Sequence, residues 1–404
     1  RKMHIIEINI EKFEKLTIQL GKKNIQLFLK HIISGLYKIC KNKDYDIYYL
    51  SDGCFAIVSL SDNSDFEIIA QQINLFMEQK HIIENFTISF DFKLCYINTP
   101  EDLKDYESVI HFGKNMLNII REKNSLVYLS DISGTNDFKI RHQIDRLIVK
   151  AISNQSFQMY YQPIYEVNTR TFISAEALIR LNDDELGFIS PGIFIPASER
   201  NGAIHQIGDF VLDSVVRFIS ESSLEIYGID YIEINLSLAQ CIESDLQEKV
   251  LDILKKYSVS NDKINLEITE TSENLNQEVI EKNIKGLTQK GISFSLDDYG
   301  TGYSNIWRIT KLPFEIIKLD KSFVDDLNKP GMKIVISETI SMLKKLNKKI
   351  LIEGVETFEE FDYFRTVGCD YVQGYYFSKP LQKDDFIIFL KSFNLGQDED
   401  GNAL

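Results

Sequence analysis

The chain has 404 residues, of which 44% are hydrophobic, 26% charged and 11% aromatic, a balance that excludes a disordered polymer and supports a sizeable core. At ~100 to 200 residues per domain, two domains are expected. Lys plus Arg number 45 against 60 Asp plus Glu, a net charge of -15, which argues against a broad basic footprint for a nucleic-acid polymer or anionic lipid but not against a small phosphorylated ligand in a locally cationic cleft.

Residues 4–10 read as an apolar strand, followed by two helical stretches to about residue 41. A hairpin has arms at 47–50 and 54–60, and its turn, Ser51-Asp52-Gly53, carries the Asp-Gly pair that favours positive φ. Helical periodicity returns at 66–79, a long strand spans 86–97, a helix covers about 103–121, and 126–129 closes an α/β layered domain. From 141 to 153, Ile144, Leu147, Ile148 and Ile152 recur at helical spacing, so a connecting helix joins the halves. The expected division is 1–135, a connecting helix at 136–155, and 156–404.

In the second half, strand candidates at 157–165, 172–181, 231–236, 264–268, 292–296, 316–319, 350–352 and 371–377 are mostly separated by amphipathic helices, as a (β/α)8 barrel requires. The few residues between the first two, 166–171, are too short for a parallel crossover, so one strand runs antiparallel.

Active sites of such barrels lie at the C-terminal ends of the strands. Those ends carry Glu176, Asn235, Glu267 with Glu270, Asp297 with Asp298, Lys318 with Asp320, Glu353 with Glu356, and Gln373. Converging carboxylates repel unless paired, and oxygen ligands suit hard cations such as Mg2+ or Mn2+. The adjacent Asp297 and Asp298 suit two ions, the arrangement that splits phosphodiesters by in-line attack, with Lys318 and Arg180 balancing phosphate charge. Only His205 of the six histidines lies in this half, which argues against a His-rich metal site or a Ser-His-Asp triad. Gly300-Thr301-Gly302 is a flexible loop suited to a turn or to closing over a ligand. Five scattered cysteines without a Cys-x-x-Cys pair argue against a disulfide framework or a thiolate zinc site. No apolar run reaches the ~18 residues of a membrane span and no signal-peptide pattern is present, so a cytoplasmic protein is expected. Because the chain begins at Arg1 rather than Met, a longer parent with an upstream sensor or membrane anchor is also expected.

Tyr161-Gln162-Pro163-Ile164, Glu176-Ala177-Leu178 with Arg180, Phe194-Ile195-Pro196 with Glu199, Asn235-Leu236-Ser237 and Leu266-Glu267-Ile268-Thr269-Glu270 together resemble the EAL domain family of cyclic di-GMP phosphodiesterases. The resemblance continues through Asp297-Asp298-Tyr299-Gly300-Thr301-Gly302-Tyr303-Ser304, Ile317-Lys318-Leu319-Asp320, Glu353-Gly354-Val355-Glu356-Thr357 and Gln373-Gly374, in the family's order over roughly 150–392. It implies a TIM-like barrel, two Mg2+ or Mn2+ ions, hydrolysis to linear pGpG and a homodimer. It also implies that Glu176, Asn235, Glu267 and Asp297 hold one metal, and that Asp297 and Asp298 serve the second with help from the Lys318 and Glu353 region. Glu353 becomes the candidate general base and Lys318 helps position the attacking water. Gln162 and Arg180 match substrate contacts, Glu270 braces the loop after the acidic pair, and Glu356 and Gln373 complete the second metal's surroundings, Gln373 also counting among the substrate contacts. Ala197-Ser198-Glu199 replaces the commoner Leu-Ala-Glu without touching these positions.

The first half resembles a GGDEF cyclase domain stripped of its chemistry. Ser51-Asp52-Gly53-Cys54-Phe55 occupies the signature hairpin, and only its Phe agrees. Asn9 and Glu11 stand in place of two aspartates, Thr17 in place of a guanine-binding Asn, and Lys41 with Asp44 only loosely resemble the product-inhibition motif. The implication is a catalytically inactive domain, with either a regulatory role through GTP at Ser51, Asp52 and Gly53 or a packing and dimerisation role. The alternative for the whole chain is a cyclic di-GMP receptor that binds without turnover and signals through the connecting helix. A two-metal nuclease or phosphatase for other substrates is a third reading, disfavoured by Arg180 and Gln162.

Overall fold

The computed structural model describes residues 3–40, 45–60, 66–83, 86–99, 124, 126–128, 136–269, 277–300 and 306–395. The chain divides into two compact units, Arg1–Ile144 and Asp145–Leu404.

In the first unit a five-stranded sheet has the order β2-β3-β1-β6-β7, with β1 at Met3–Ile10, β2 at Asp46–Ser51, β3 at Cys54–Ser59, β6 at Phe92–Thr99 and β7 at Leu126–Tyr128. Ile6, Ile8 and Ile10 of β1 alternate onto one face and pack with Phe28, Ile32 and Leu36 of the helix Phe13–Ile39 and with Ile69 and Ile73 of the helix Phe66–Met77. Gly21, at φ 72°, breaks the first helix as the two-stretch reading anticipates. The hairpin turn has Asp52 at φ 48° and Gly53 at φ 77°, the left-handed pair that an Asp-Gly turn supplies. A side chain at Gly53 would also meet the Phe13 ring at 2.6 Å.

The long strand expected at 86–97 is two strands. β5 (Phe86–Ile88) pairs with β4 (His81–Ile83) in a separate ribbon, and only β6 joins the main sheet. Phe90, between them, packs edge-on to Phe28 at 5.1 Å and stacks on His81 at 5.3 Å, and this aromatic burial draws the chain out of the ladder. The helix expected at 103–121 lies outside the described residues.

In the second unit the strands β8 (Phe157–Glu166), β9 (Thr171–Asp183), β11 (Tyr231–Asn235), β12 (Ile264–Thr269), β13 (Ser293–Tyr299), β14 (Ile316–Leu319), β15 (Lys349–Ile352) and β16 (Tyr371–Val372) close on themselves through a β8–β9 pairing. The barrel therefore has eight strands, and β8 is antiparallel to both of its barrel neighbours, β9 and β16. β14 is buried along its whole length and β12 along all but its last residue, as expected for strands between a filled barrel and outer helices. The helix Ile204–Ser222 turns Ile204, Ile207, Val211, Val215, Phe218 and Ile219 inward at helical spacing, and each such burial contributes about 1.5–3 kcal/mol. The helix Phe358–Val367 starts at a capping box in which the Thr357 hydroxyl accepts from the Glu360 N–H and the Glu360 carboxylate accepts from the Thr357 N–H.

The strand expected at 371–377 ends at Val372. Beyond it the chain turns tightly onto the loop after β15: Val355 N–H donates to the Gln373 carbonyl at 3.3 Å and Tyr376 N–H to the Val355 carbonyl at 3.0 Å. A Cβ on Gly374 would lie 2.0 Å from the Val355 carbonyl oxygen, so only glycine permits this approach. Two short strands escape the sequence reading: β10 (Gly187–Ile189), folded back on the end of β9, and β17 (Leu381–Gln382), paired to β8.

Candidate active site

Period-two alternation fills the barrel mouth. Gln162 of β8, Glu176 of β9, Asn235 of β11, Glu267 of β12, Asp297 of β13 and Lys318 of β14 join Glu353 and Gln373, which follow β15 and β16. Glu176 is an internal residue of the long β9 rather than its end, yet pairing of β9 with β11 stops at Ala177, so Glu176 still sits at the barrel rim.

Lys318 is the hub. Its side chain is fully buried, and Nζ lies 2.6 Å from Glu267, 2.7 Å from Glu353, 3.5 Å from Glu176 and 3.7 Å from Glu233. Burial opposes the ammonium charge, but Glu176, Glu267 and Glu353 more than offset it, and the Lys318 pKa is raised well above its ordinary value.

One cation cannot hold this many acids ionised. Burial likewise opposes the Glu176 charge, but Lys318 together with hydrogen bonds from Gln373 and Asn235 overcomes it and lowers the pKa. Asn235 Nδ2 donates to Glu176 Oε1 at 2.8 Å and Gln373 Nε2 to Oε2 at 2.7 Å, while Gln373 Nε2 also reaches Gln162 Oε1 at 3.2 Å. For Glu353 burial dominates over Lys318, and its pKa is pushed up to about 8. Its side chain is 21% exposed, unlike that of Lys318, so it opens onto the mouth.

Asp297 and Asp298 are adjacent, and regular strand geometry would send them to opposite faces. β13 instead carries a register irregularity between Leu296 and Tyr299, with Asp298 in the left-handed region at φ 56° and its N–H on Asp297 Oδ1 at 2.7 Å. A bulge of this kind re-aims side chains, and a non-glycine residue at such a φ marks a locally constrained backbone. Burial, with the charges of Asp297 and Asp320, raises the Asp298 pKa to about 6.

Ligand oxygens of Glu267, Asp297 and Glu353 lie within 4.8 Å of one another. Glu267 Oε2 and Gln373 Oε1 are buried without a hydrogen-bond partner. Buried acceptors left over beside a carboxylate triad fit a hard divalent cation. Beside the triad, a cavity of about 320 Å3 has Arg180, Glu176 and Asn235 at its polar side and Ile195, Ile207 and Val211 among its apolar lining. The Arg180 guanidinium stands 5.8 Å from the Tyr160 ring centroid and donates to the Ile179 carbonyl at 3.0 Å.

Of the other residues singled out in the sequence, Glu356 makes an exposed 2.6 Å ion pair with Lys321, and Glu270 with Thr301 to Ser304 lies outside the described residues. The sequence reading missed Glu233, which is fully buried on β11. It shares a face with Asn235 two residues on, so strict alternation was the available signal.

In the first unit Asn9, Glu11, Thr17 and Cys54 all have partners. Cys54 Sγ donates to Asn9 Oδ1 at 3.4 Å, Glu11 pairs with Lys93 at 3.4 Å, and the Thr17 hydroxyl donates to the Phe13 carbonyl at 2.9 Å. Lys41 and Asp44 lie outside the described residues.

The class is a closed barrel with one antiparallel strand and, at its mouth, a carboxylate triad that could hold a metal ion. The EAL domain family model matches residues 145–380, and the chain belongs to that family. Among curated relatives it is 30% identical over 344 residues to the oxygen sensor protein DosP of Escherichia coli, covering 84% of this chain and 42% of DosP. It is 23% identical over 395 residues to the cyclic di-GMP phosphodiesterase NbdA of Pseudomonas aeruginosa, covering 96% of this chain and 50% of NbdA. The chain thus spans about half the length of the curated relatives it matches. Among solved structures, a MucR phosphodiesterase in complex with c-di-GMP is 28% identical with a TM-score of 0.57, over 60% of this chain and 99% of that one. An EAL domain protein from Listeria monocytogenes is 28% identical with a TM-score of 0.54, over 62% of this chain and 98% of that one.

Proposed function

We propose that this chain hydrolyses cyclic di-GMP to linear pGpG at the barrel mouth. The observation that carries the reading is the convergence of Glu267, Asp297 and Glu353 around buried Lys318, with Glu176 held ionised beside the cavity that bears Arg180. Relatives named for cyclic di-GMP hydrolysis, and a MucR phosphodiesterase solved with c-di-GMP, support the choice of substrate.

Glu176, Asn235, Glu267 and Asp297 would hold one Mg2+ or Mn2+ ion, and Asp297 and Asp298 would serve a second. The ions, when bound, acidify water and neutralise phosphate charge. Glu353, whose side chain opens onto the mouth, accepts the proton of the attacking water. Lys318 donates to Glu353 at 2.7 Å and so fixes the carboxylate from below. The water oxygen bonds to phosphorus on the side opposite the 3′ oxygen, which leaves with the bonding pair and takes up a proton. Arg180 and Gln162 hold the substrate, and the apolar wall of the cavity accepts a base.

Residues 1–135 form an inactive GGDEF-like domain with a regulatory role, coupled through the connecting helix, and a homodimer and an upstream sensor belong to the same reading. Support for the inactive domain comes from Asn9, Cys54 and Thr17, which offer no carboxylate to a metal.

The test incubates the purified chain with cyclic di-GMP and Mg2+ or Mn2+, with and without GTP, and resolves the products by chromatography. Chelator-sensitive pGpG is the expected result, stimulated by GTP if the first unit regulates through that nucleotide. Tight binding without product under either metal would replace the enzyme with a receptor.

A further inference from the structure

Resting on the reading of Arg180 as a substrate contact, we propose that Tyr160 is a positioning residue whose ring aims the Arg180 guanidinium at a substrate phosphate. Tyr160 lies on β8 two residues before Gln162, while Tyr161 between them turns the other way and stacks on Phe218 at 4.4 Å. Its partner across β8–β9 is Leu178, two residues before Arg180. Diagonal neighbours of this kind are within reach when one is aromatic and the other long. The guanidinium carbon of Arg180 accordingly stands 5.8 Å from the centre of the Tyr160 ring. On its other side Tyr160 faces Gln382 of β17, whose Nε2 donates to the phenolic oxygen at 2.8 Å. The ring is thus fixed by strands on both sides.

What holds an arginine decides what it can bind. A carboxylate fixes the guanidinium but neutralises it, whereas the face of an aromatic ring attracts the same cation and leaves its charge to a ligand. Arg180 has the second arrangement. Among the described residues it makes no ion pair, and its one hydrogen bond, from Nη1 to the Ile179 carbonyl at 3.0 Å, takes one of the five N–H donors of a guanidinium. The other donors are left for phosphate oxygens, which a guanidinium binds in pairs. Arg180 lines the cavity together with Glu176 and Asn235, so a ring that restricts its rotamers lowers the entropy lost when substrate arrives. The ring acts on binding and not on the chemical step, since Tyr160 is not among the triad residues.

The test measures the affinity of the full chain for cyclic di-GMP in Ca2+, and KM and kcat in Mg2+. Tyr160→Leu is expected to weaken binding and raise KM by about 3–10-fold, between the values of an exposed and a desolvated cation–π contact, with kcat within about twofold of wild type. Tyr160→Phe, which keeps the ring, is expected to stay within about twofold in every constant. With Arg180→Ala as background, Tyr160→Leu should change the affinity by less than about twofold, because the two residues act through each other. A Tyr160→Leu affinity within about twofold of wild type overturns the inference. So does a Tyr160→Phe as impaired as Tyr160→Leu, which would give the role to the hydroxyl, and so does a loss that persists beside Arg180→Ala, which would put the ring on the substrate itself. Unchanged binding in Arg180→Ala removes Arg180 from the substrate and the inference with it. A wild-type chain that neither binds nor hydrolyses cyclic di-GMP overturns the proposed function, an outcome visible before any variant is made. Should Tyr160→Leu not fold by circular dichroism, Tyr160→Val, β-branched and suited to a strand, takes its place in every arm.

Discussion

Replacing Lys318 with Met removes the cation that lies among Glu176, Glu267, Glu353 and Glu233, at 2.6 to 3.7 Å. Lys318 is the largest of the influences that hold Glu176 ionised, so in the metal-free variant Glu176 takes up a proton or remains a buried carboxylate held only by Asn235 and Gln373. Neutralising a carboxyl of ordinary pKa 4.5 at pH 8 costs about 1.36 kcal/mol for each of 3.5 pH units, or about 5 kcal/mol. That agrees with the ~3–5 kcal/mol cost of breaking a buried pair by removing one partner. At pH 5.5 the same proton costs about 1.4 kcal/mol. The sign follows from linkage: in the variant the folded-state pKa of Glu176 lies above its unfolded value, so the folded state binds the extra proton and stability falls as pH rises from about 4.5 upward. At about 2–4 °C per kcal/mol for a unit of this size, the metal-free melting temperature should drop by roughly 10–20 °C at pH 8 and by roughly 3–6 °C at pH 5.5. Thermal melts of wild type and variant at both pH values, with chelator and then with excess Mg2+, measure this. A pH 8 melt within about 2 °C of wild type would refute the claim that Lys318 is the charge holding the acids in place.

Three further outcomes are expected. Glu176→Ala should abolish turnover, since it removes the proposed metal ligand that both Asn235 and Gln373 orient; steady-state rates with Mg2+ comparable to wild type would remove Glu176 from the site. Glu353→Gln should lower kcat by about 10²- to 10⁴-fold with cyclic di-GMP binding in Ca2+ preserved, and a fall of less than about tenfold would take the base role from Glu353. Arg180→Ala should raise KM more than it lowers kcat, because Arg180 lines the cavity and is not among the triad; a fall confined to kcat would place it in the chemical step instead.

Much of the barrel was legible because its signals are local. Strand order, the antiparallel start enforced by the short 166–171 connection and the inward-facing Glu267, Asp297 and Lys318 all follow from period-two patterning and loop length. The split of 86–97 was not legible, because it depends on Phe90 finding Phe28 and His81, distant in sequence or on another element. The end of β16 at Val372 depends on Val355 closing against Gly374, and a strand-like composition carries no trace of that contact.

Residue type and alternation alone place oxygen donors without histidine at successive strand ends, with a basic residue among them. How those acids share charge follows from the folded barrel. Which of them stays ionised depends on hydrogen-bond donors as well as on Lys318 within a dry barrel: Glu176, 3.5 Å from Lys318 but also held by Asn235 and Gln373, is lowered, while burial takes Glu353, at 2.7 Å, to about 8. Glu233 shows the same division: its letter and its face are readable in the strand, but its full burial 3.7 Å from Lys318 exists only once β11 has closed against its neighbours.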